Sequence, residues 1–177
     1  MGQEFIYTSE GKKLYFENPD PVVMTIEAIA HALSQLCRWT GHTKQFYSIA
    51  EHSFRVSVEC RRFPLRALLH DAAEAFTNDV NKPLKVLLGA PFAEVEDRVE
   101  QAVWRRFGFP EWTEDERAEV KRCDLALAAT EARDLFPREC DDFKYIGAPL
   151  VKTIKPMGPL YAEAVFLERY RELTRRK

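Results

Sequence analysis

The sequence predicts a mainly α-helical bundle preceded by a small β-hairpin, in one domain over residues 1–177. Three observations carry that prediction. Apolar residues recur at helical spacing through most of the chain. Helix-start patterns of Ser or Thr followed three residues on by Glu stand at Ser48–Glu51 and Thr113–Glu116. Loose two-residue alternation is confined to residues 4–17. A length of 177 residues with 46% hydrophobic content is enough to build one proper core.

Phe5, Tyr7, Leu14 and Phe16 flank a Ser9-Glu10-Gly11-Lys12 turn, which predicts the hairpin. Asn18-Pro19-Asp20-Pro21 breaks the chain and ends the lead-in, residues 1–21. Residues 22–136 then form a helical core. Ile26, Ile29, Ala30, Leu33, Leu36 and Cys37 predict a helix over roughly 23–38, followed by a loop at Trp39-Thr40-Gly41-His42. Ser48 caps a helix that carries His52 in its first turn and ends near Arg62. Pro64 suits the first turn of a helix running to Phe76 with His70, Asp71 and Glu74 on it; Thr77-Asn78-Asp79 stops it. Residues 81–90 read as a loop with one helical turn. Phe92, Val95, Val99, Ala102, Val103 and Phe107 predict a further helix closed by Gly108 and Pro110. Thr113 opens a long helix to about Leu135, with Asp124 near its middle. The last unit, 137–177, is a loop to 158 and a helix over 159–174 with a basic end.

The 26 basic and 28 acidic residues give a formal net charge of −2, which offers no support for a long nucleic-acid partner or an anionic membrane surface. No apolar run is long enough to span a bilayer, and the first residues lack the basic and apolar regions of a signal peptide. Cys37, Cys60, Cys123 and Cys140 are too far apart in sequence for a zinc knuckle and read as reduced thiols of a cytoplasmic protein.

His70 and Asp71 are neighbours inside the apolar stretch Leu68-Leu69-His70-Asp71-Ala72-Ala73. A buried carboxylate is normally paired or bound to a metal, because leaving it bare costs several kcal/mol, on the order of a lost buried ion pair. His52 and Asp124 each stand in helical surroundings that suit a further ligand. Singly, each has an ordinary reading, a hydrogen-bonded histidine or a solvated carboxylate. Together His52, His70, Asp71 and Asp124 make a ligand set for one divalent transition ion, with cobalt, zinc, manganese or nickel as candidates. His31 and His42 read as non-ligands.

The same residues resemble the signature of the HD-domain metal-dependent phosphohydrolases, over roughly residues 22–136. Ala50-Glu51-His52-Ser53, the run His70 to Asp79 and Pro83-Leu84-Lys85 resemble bacterial HD-type deoxyribonucleoside 5′-nucleotidases. Ile29-Ala30-His31-Ala32-Leu33-Ser34, with Cys37-Arg38 and Phe46-Tyr47-Ser48, is closer still to a phage branch of small HD hydrolases that strip the phosphates from dATP. The Glu74-Ala75 pair departs from the Glu-Asp of HD hydrolases that act on ppGpp, which disfavours that activity.

The resemblance implies an HD-type helical bundle and hydrolysis of deoxynucleotide phosphates. dATP to deoxyadenosine plus triphosphate comes first, a 5′-nucleotidase acting on deoxynucleoside monophosphates second, and a non-catalytic nucleotide-binding module third. It implies catalytic or substrate-contacting roles for Glu74 and Asp79, substrate contact by Arg38 and Trp39, and assembly into dimers or hexamers. Glu74 lies four residues after His70, which predicts that both project from one helix face. Arg38 offers a bidentate fork to phosphate, and Lys82 or Lys85 a point charge. Trp39, Phe46 and Tyr47 are flat enough to stack on an adenine base, unless they belong to the core. Asp79 either accepts from a sugar hydroxyl or is a turn residue after Asn78.

Overall fold

The computed structural model describes residues 4–137 and 147–175. Strands β1 (Phe5–Tyr7) and β2 (Lys13–Tyr15) pair antiparallel, with Phe5 opposite Tyr15 and Tyr7 opposite Lys13. Leu14 is fully buried and pins the hairpin to the core. Thr25 caps α1 (Ile26–Gln35), its hydroxyl accepting from the Ala28 amide at 3.1 Å. Ala28, Ile29, Ala30 and Leu33 turn inward.

Ser48 caps α2 (Ile49–Glu59) by accepting from the Glu51 amide, but Glu51 does not complete the box. Its carboxylate instead takes Arg55 at 2.7 Å and the Met157 amide at 2.7 Å. α6 (Ala90–Phe107) ends at Gly108, whose φ of 69° gives the left-handed stop that a side chain would strain. α7 (Glu114–Leu135) opens with the complete Thr113–Glu116 capping box. α8 (Pro159–Thr174) has the bounds its sequence predicts and packs across α1, α2 and the short helix that starts at Pro64.

Two predictions need correction. Residues 82–88 form a full helix, α5 (Lys82–Leu88), where a single turn was expected; Asn81 caps it through the Leu84 amide. The expected helix from Pro64 to Phe76 is interrupted. It becomes α3 (Pro64–Leu68) and α4 (Glu74–Thr77), and residues 69–73 between them carry the tighter three-residue hydrogen bonds, Ala72 to Leu69 and Glu74 to Asp71. Adjacent residues of a regular α-helix diverge by about 100° around its axis. Across the break His70 Nε2 and Asp71 Oδ2 lie 3.3 Å apart.

Among the described residues the core has two clusters. Leu14, Leu33, Leu68, Leu69, Phe76, Val103 and Phe166 belong to one, and Tyr47, Val56, Cys60, Val120, Leu127 and Leu135 to the other. α2 contributes to both, through Ile49 and Ala50 on one side and Val56 on the other. Among the described residues no helix is long and apolar enough to cross a membrane.

Candidate metal centre

The break between α3 and α4 aims His70 and Asp71 at α2 and α7. His52 Nε2 is 3.6 Å from Asp71 Oδ2 and 3.3 Å from Asp124 Oδ1. His70 Nε2 is 3.3 Å from Asp71 Oδ2. Ligand atoms of His52, His70 and Asp71 all lie within 4.8 Å of one another, and Asp124 joins them through His52. His52 is fully buried, whereas the Asp71 and Asp124 side chains keep 18% and 15% of their exposure, so the cluster opens to solvent on the carboxylate side.

The other ring nitrogens decide the tautomers. His70 Nδ1 is 2.7 Å from the Ala67 carbonyl oxygen, which can only accept, so Nδ1 carries the proton. His52 Nδ1 lies 2.6 Å from a Glu131 carboxylate oxygen and donates to it. Both Nε2 atoms are buried and make no hydrogen bond. Two orphaned nitrogens face two carboxylates. That donor set fits a divalent cation, with the backs of both imidazoles anchored as metal-bound histidines require.

Electrostatics agree with the geometry. Burial and the Arg38 guanidinium push the His52 pKa down, but Glu131 and Asp124 outweigh them and hold it up at about 9. Burial should raise Asp124, yet His52, His70 and Arg38 hold it far below the usual carboxylate range. The field that favours a proton on His52 Nε2 favours a metal cation there equally, and metal binding displaces that proton.

Glu131 is the residue behind this candidate centre that sequence reasoning missed. It is completely buried on α7 and accepts from His52 Nδ1, from Arg38 Nε at 2.8 Å and from Trp39 Nε1 at 2.9 Å. Burial opposes its charge, but Arg38 and His52 bring its pKa down to about 2. The signal for it is positional. Glu131 is seven residues after Asp124, two turns along one helix face, and lies midway between the buried Leu127 and Leu135.

Arg38, expected to offer a bidentate fork to phosphate, spends one edge of its guanidinium inside the protein. Its Nε is committed to Glu131, and only Nη1 and Nη2 face Asp71 at 3.8 Å and Asp124 at 3.6 Å. Trp39 and Thr40 both adopt left-handed backbone, with φ of 57° and 53°. Each such residue costs about 1–2 kcal/mol in an L-amino acid. The strained turn is what lets Arg38 and Trp39 reach the same buried carboxylate.

The remaining expected site residues separate. Tyr47 is 1% exposed inside the second core cluster, so it is a core residue and cannot stack on a base from solvent. Phe46 beside it is half-buried. Glu74 no longer shares a regular helix with His70, yet it stays near the centre: burial first, then Asp71 and Asp79, push its carboxyl well above the normal range. Its Oε2 is buried without a partner. Asp79 is raised by burial and by Asp71, against the pull of Arg38. It follows Asn78, whose φ of 66° and ψ of 161° are strained for a residue with a side chain. Lys85 is paired with Glu96 at 2.5 Å but still senses Glu74 and Asp71, whereas Lys82 is exposed at the start of α5. His31 pairs with Glu163 at 3.1 Å, away from the ligands, and His42 is exposed.

No family model matches the chain. Two relatives do, along almost their whole lengths. An uncharacterized protein of Rhodobacter capsulatus is 33% identical over 93% of each chain. The uncharacterized protein YfdR of Escherichia coli K12 is 33% identical over 96% of each chain. Identity at that level over nearly the whole of both chains means that this chain belongs to the YfdR family.

Proposed function

We propose that the protein is a metal-dependent phosphohydrolase acting on deoxynucleotides, with dATP converted to deoxyadenosine and triphosphate as the first reaction to test. The observation that carries the reading is the pair of buried, unpartnered Nε2 atoms of His52 and His70 facing Asp71 and Asp124. The resemblance of these residues to the HD signature supports phosphate chemistry at that centre. His52, His70, Asp71 and Asp124 would hold the ion, which supplies Lewis acidity toward a phosphate oxygen and lowers the pKa of water.

This chain's own residues then have separate tasks. Glu131 fixes the His52 tautomer and keeps Arg38 in place. Arg38 Nη1 and Nη2 remain on the ligand side, where they offset negative charge on a phosphate. Glu74 is buried, and burial together with Asp71 and Asp79 pushes its carboxyl well above the ordinary carboxylate range, which suits it to protonate the leaving 5′ oxygen. The net change is addition of water across the bond between the α-phosphorus and the 5′ oxygen, hydroxyl to phosphorus and hydrogen to oxygen.

The test is to incubate metal-loaded protein with dATP and, separately, with dAMP, and to identify the phosphorus product. Intact triphosphate supports the reading. Turnover of dAMP with dATP untouched would replace it with a 5′-nucleotidase that releases inorganic phosphate. Stoichiometric metal with no hydrolysis across a panel of nucleotides would leave a binding module.

A further inference from the structure

A second group of ligand-type side chains lies at the other end of α2. Cys60 caps the C-terminus of that helix, and Cys123 lies midway along α7. Both are buried, at 0% and 1% exposure, and both are free thiols. Glu119 precedes Cys123 by four residues, so the two project from one face of α7. The two sulfurs and a Glu119 carboxylate oxygen all lie within 4.8 Å of one another. The 62 residues between the cysteines hide this group from any reading of sequence spacing.

We propose that Cys60, Cys123 and Glu119 form a second metal site, for a thiophilic divalent cation of the zinc type. The ligand chemistry selects the ion: thiolates favour zinc and its softer relatives over magnesium, calcium or manganese. The geometry admits it. Metal–sulfur bonds of about 2.3 Å at a tetrahedral ion separate two sulfurs by about 3.8 Å, inside the observed span. The carbonyl end of α2 adds partial negative charge beside Cys60. Binding replaces two thiol protons, which leave to solvent, by one dication, so no redox partner is needed.

Arg122 is the competing cation. Its Nε and Nη2 donate to Glu119 at 3.0 and 2.9 Å, and Nη2 also approaches Cys123 Sγ at 3.4 Å. Its side chain is 63% exposed, so it can swing into water without leaving a buried charge behind. Two thiolates and one carboxylate around a dication leave one net negative charge, which Arg122 offsets from outside. The consequence is mechanical. Cys123 immediately precedes Asp124, and Cys60 ends the helix that carries His52, so an ion here ties together the two helices that supply the first centre.

Cobalt(II) titration of the fully reduced protein, without oxygen, tests the proposal independently of any hydrolase activity. Sulfur-to-cobalt charge transfer in the near ultraviolet arises only when a thiolate binds the ion. The band is expected to saturate at one cobalt per chain and to persist in His70→Ala, where the histidine centre is lost. It should vanish in Cys60→Ser and in Cys123→Ser, and Glu119→Gln should shift its midpoint to higher cobalt. Absence of the band in the reduced wild-type protein overturns the proposal, whatever the variants do. If hydrogen peroxide then joins Cys60 to Cys123 with loss of two hydrogens per chain, the pair is a thiol–disulfide couple instead.

Discussion

Glu131 has two carboxylate oxygens and three donors upon them, from His52, Arg38 and Trp39. Removing its charge leaves His52 without its anionic partner and Arg38 without its main counter-charge. Outer partners of this kind are worth roughly 10–100-fold in metal affinity. Glu131→Gln is expected to lose that much, read by competition with a chelating dye; an unchanged affinity would show that His52 needs no anionic anchor. Glu74 calls for the opposite outcome. Its carboxyl is pushed well above the ordinary range by burial and by Asp71 and Asp79, and glutamine keeps the shape but cannot give up a proton as an acid. Glu74→Gln should keep its metal and lose roughly 10²–10⁴-fold in kcat; a matching loss of metal would make Glu74 a ligand. The His70-Asp71 pair stands out in the sequence because a histidine beside a carboxylate in an apolar run is costly unless it is used, and His52 and Asp124 join it largely through the resemblance to the HD signature. The sequence did not single out Glu131, which sits in Thr130-Glu131-Ala132-Arg133-Asp134, a stretch that looks like a solvated face. Tyr47 failed in the other direction. An aromatic next to a site has the same letters whether it faces substrate or core, and only packing decides.

At the scale of elements, local signals worked where local chemistry fixes the boundary. The Thr113 box, the Gly108 stop and the Pro159 start all lie where the sequence predicts. The break between α3 and α4 carries no proline or glycine to announce it, and it coincides with the approach of Asp71 to His52 on α2, a long-range contact that no local signal encodes. The strained turn at Trp39 and Thr40 has the same character. Thr40 is exposed and β-branched at φ 53°. Glycine would relieve about 1–2 kcal/mol of left-handed strain, against about 0.4–1 kcal/mol of added freedom in the unfolded chain. Thr40→Gly should therefore be neutral to stabilising by about 1 kcal/mol in a denaturant titration, and clear destabilisation would locate a contact for its side chain. The α7 capping box gives a pH signature. Burial would raise Glu116, but the Thr113 amide and hydroxyl and Arg66 lower it below its ordinary 4.5. The folded state then binds the proton less readily than the unfolded state. Its contribution is present above the ordinary value and is lost as pH falls through the lowered one. The stability difference between wild type and Glu116→Gln should shrink on acidification below about pH 4.5, the unfolded carboxyl's range; a difference constant with pH would remove the carboxylate from the cap.

At the scale of the whole molecule, the four candidate ligands come from three separate segments: α2, the turn between α3 and α4, and α7. No local stretch holds more than two of them, so the centre exists only when the chain is folded. The two core clusters meet along α2, and α8 closes over α1, α2 and α3 with Phe166 fully buried. Arg169 on α8 also donates to the Ser57 hydroxyl and carbonyl at 3.1 and 3.2 Å, fixing α2 from behind. Metal affinity at His52 and stability of the fold are then one quantity seen from two sides. An ion bound to the folded state alone adds about 2.7 kcal/mol when free metal is a hundredfold above Kd. Saturating metal should raise the melting temperature of the wild-type protein, and a chelator should reverse the rise. In a Cys60→Ser background, where the thiolate pair contributes nothing, the rise should persist. His70→Ala in that same background should abolish it, because the remaining imidazole and carboxylates no longer close around an ion. A metal-dependent rise that survives His70→Ala there would assign the stabilising ion to residues other than this centre.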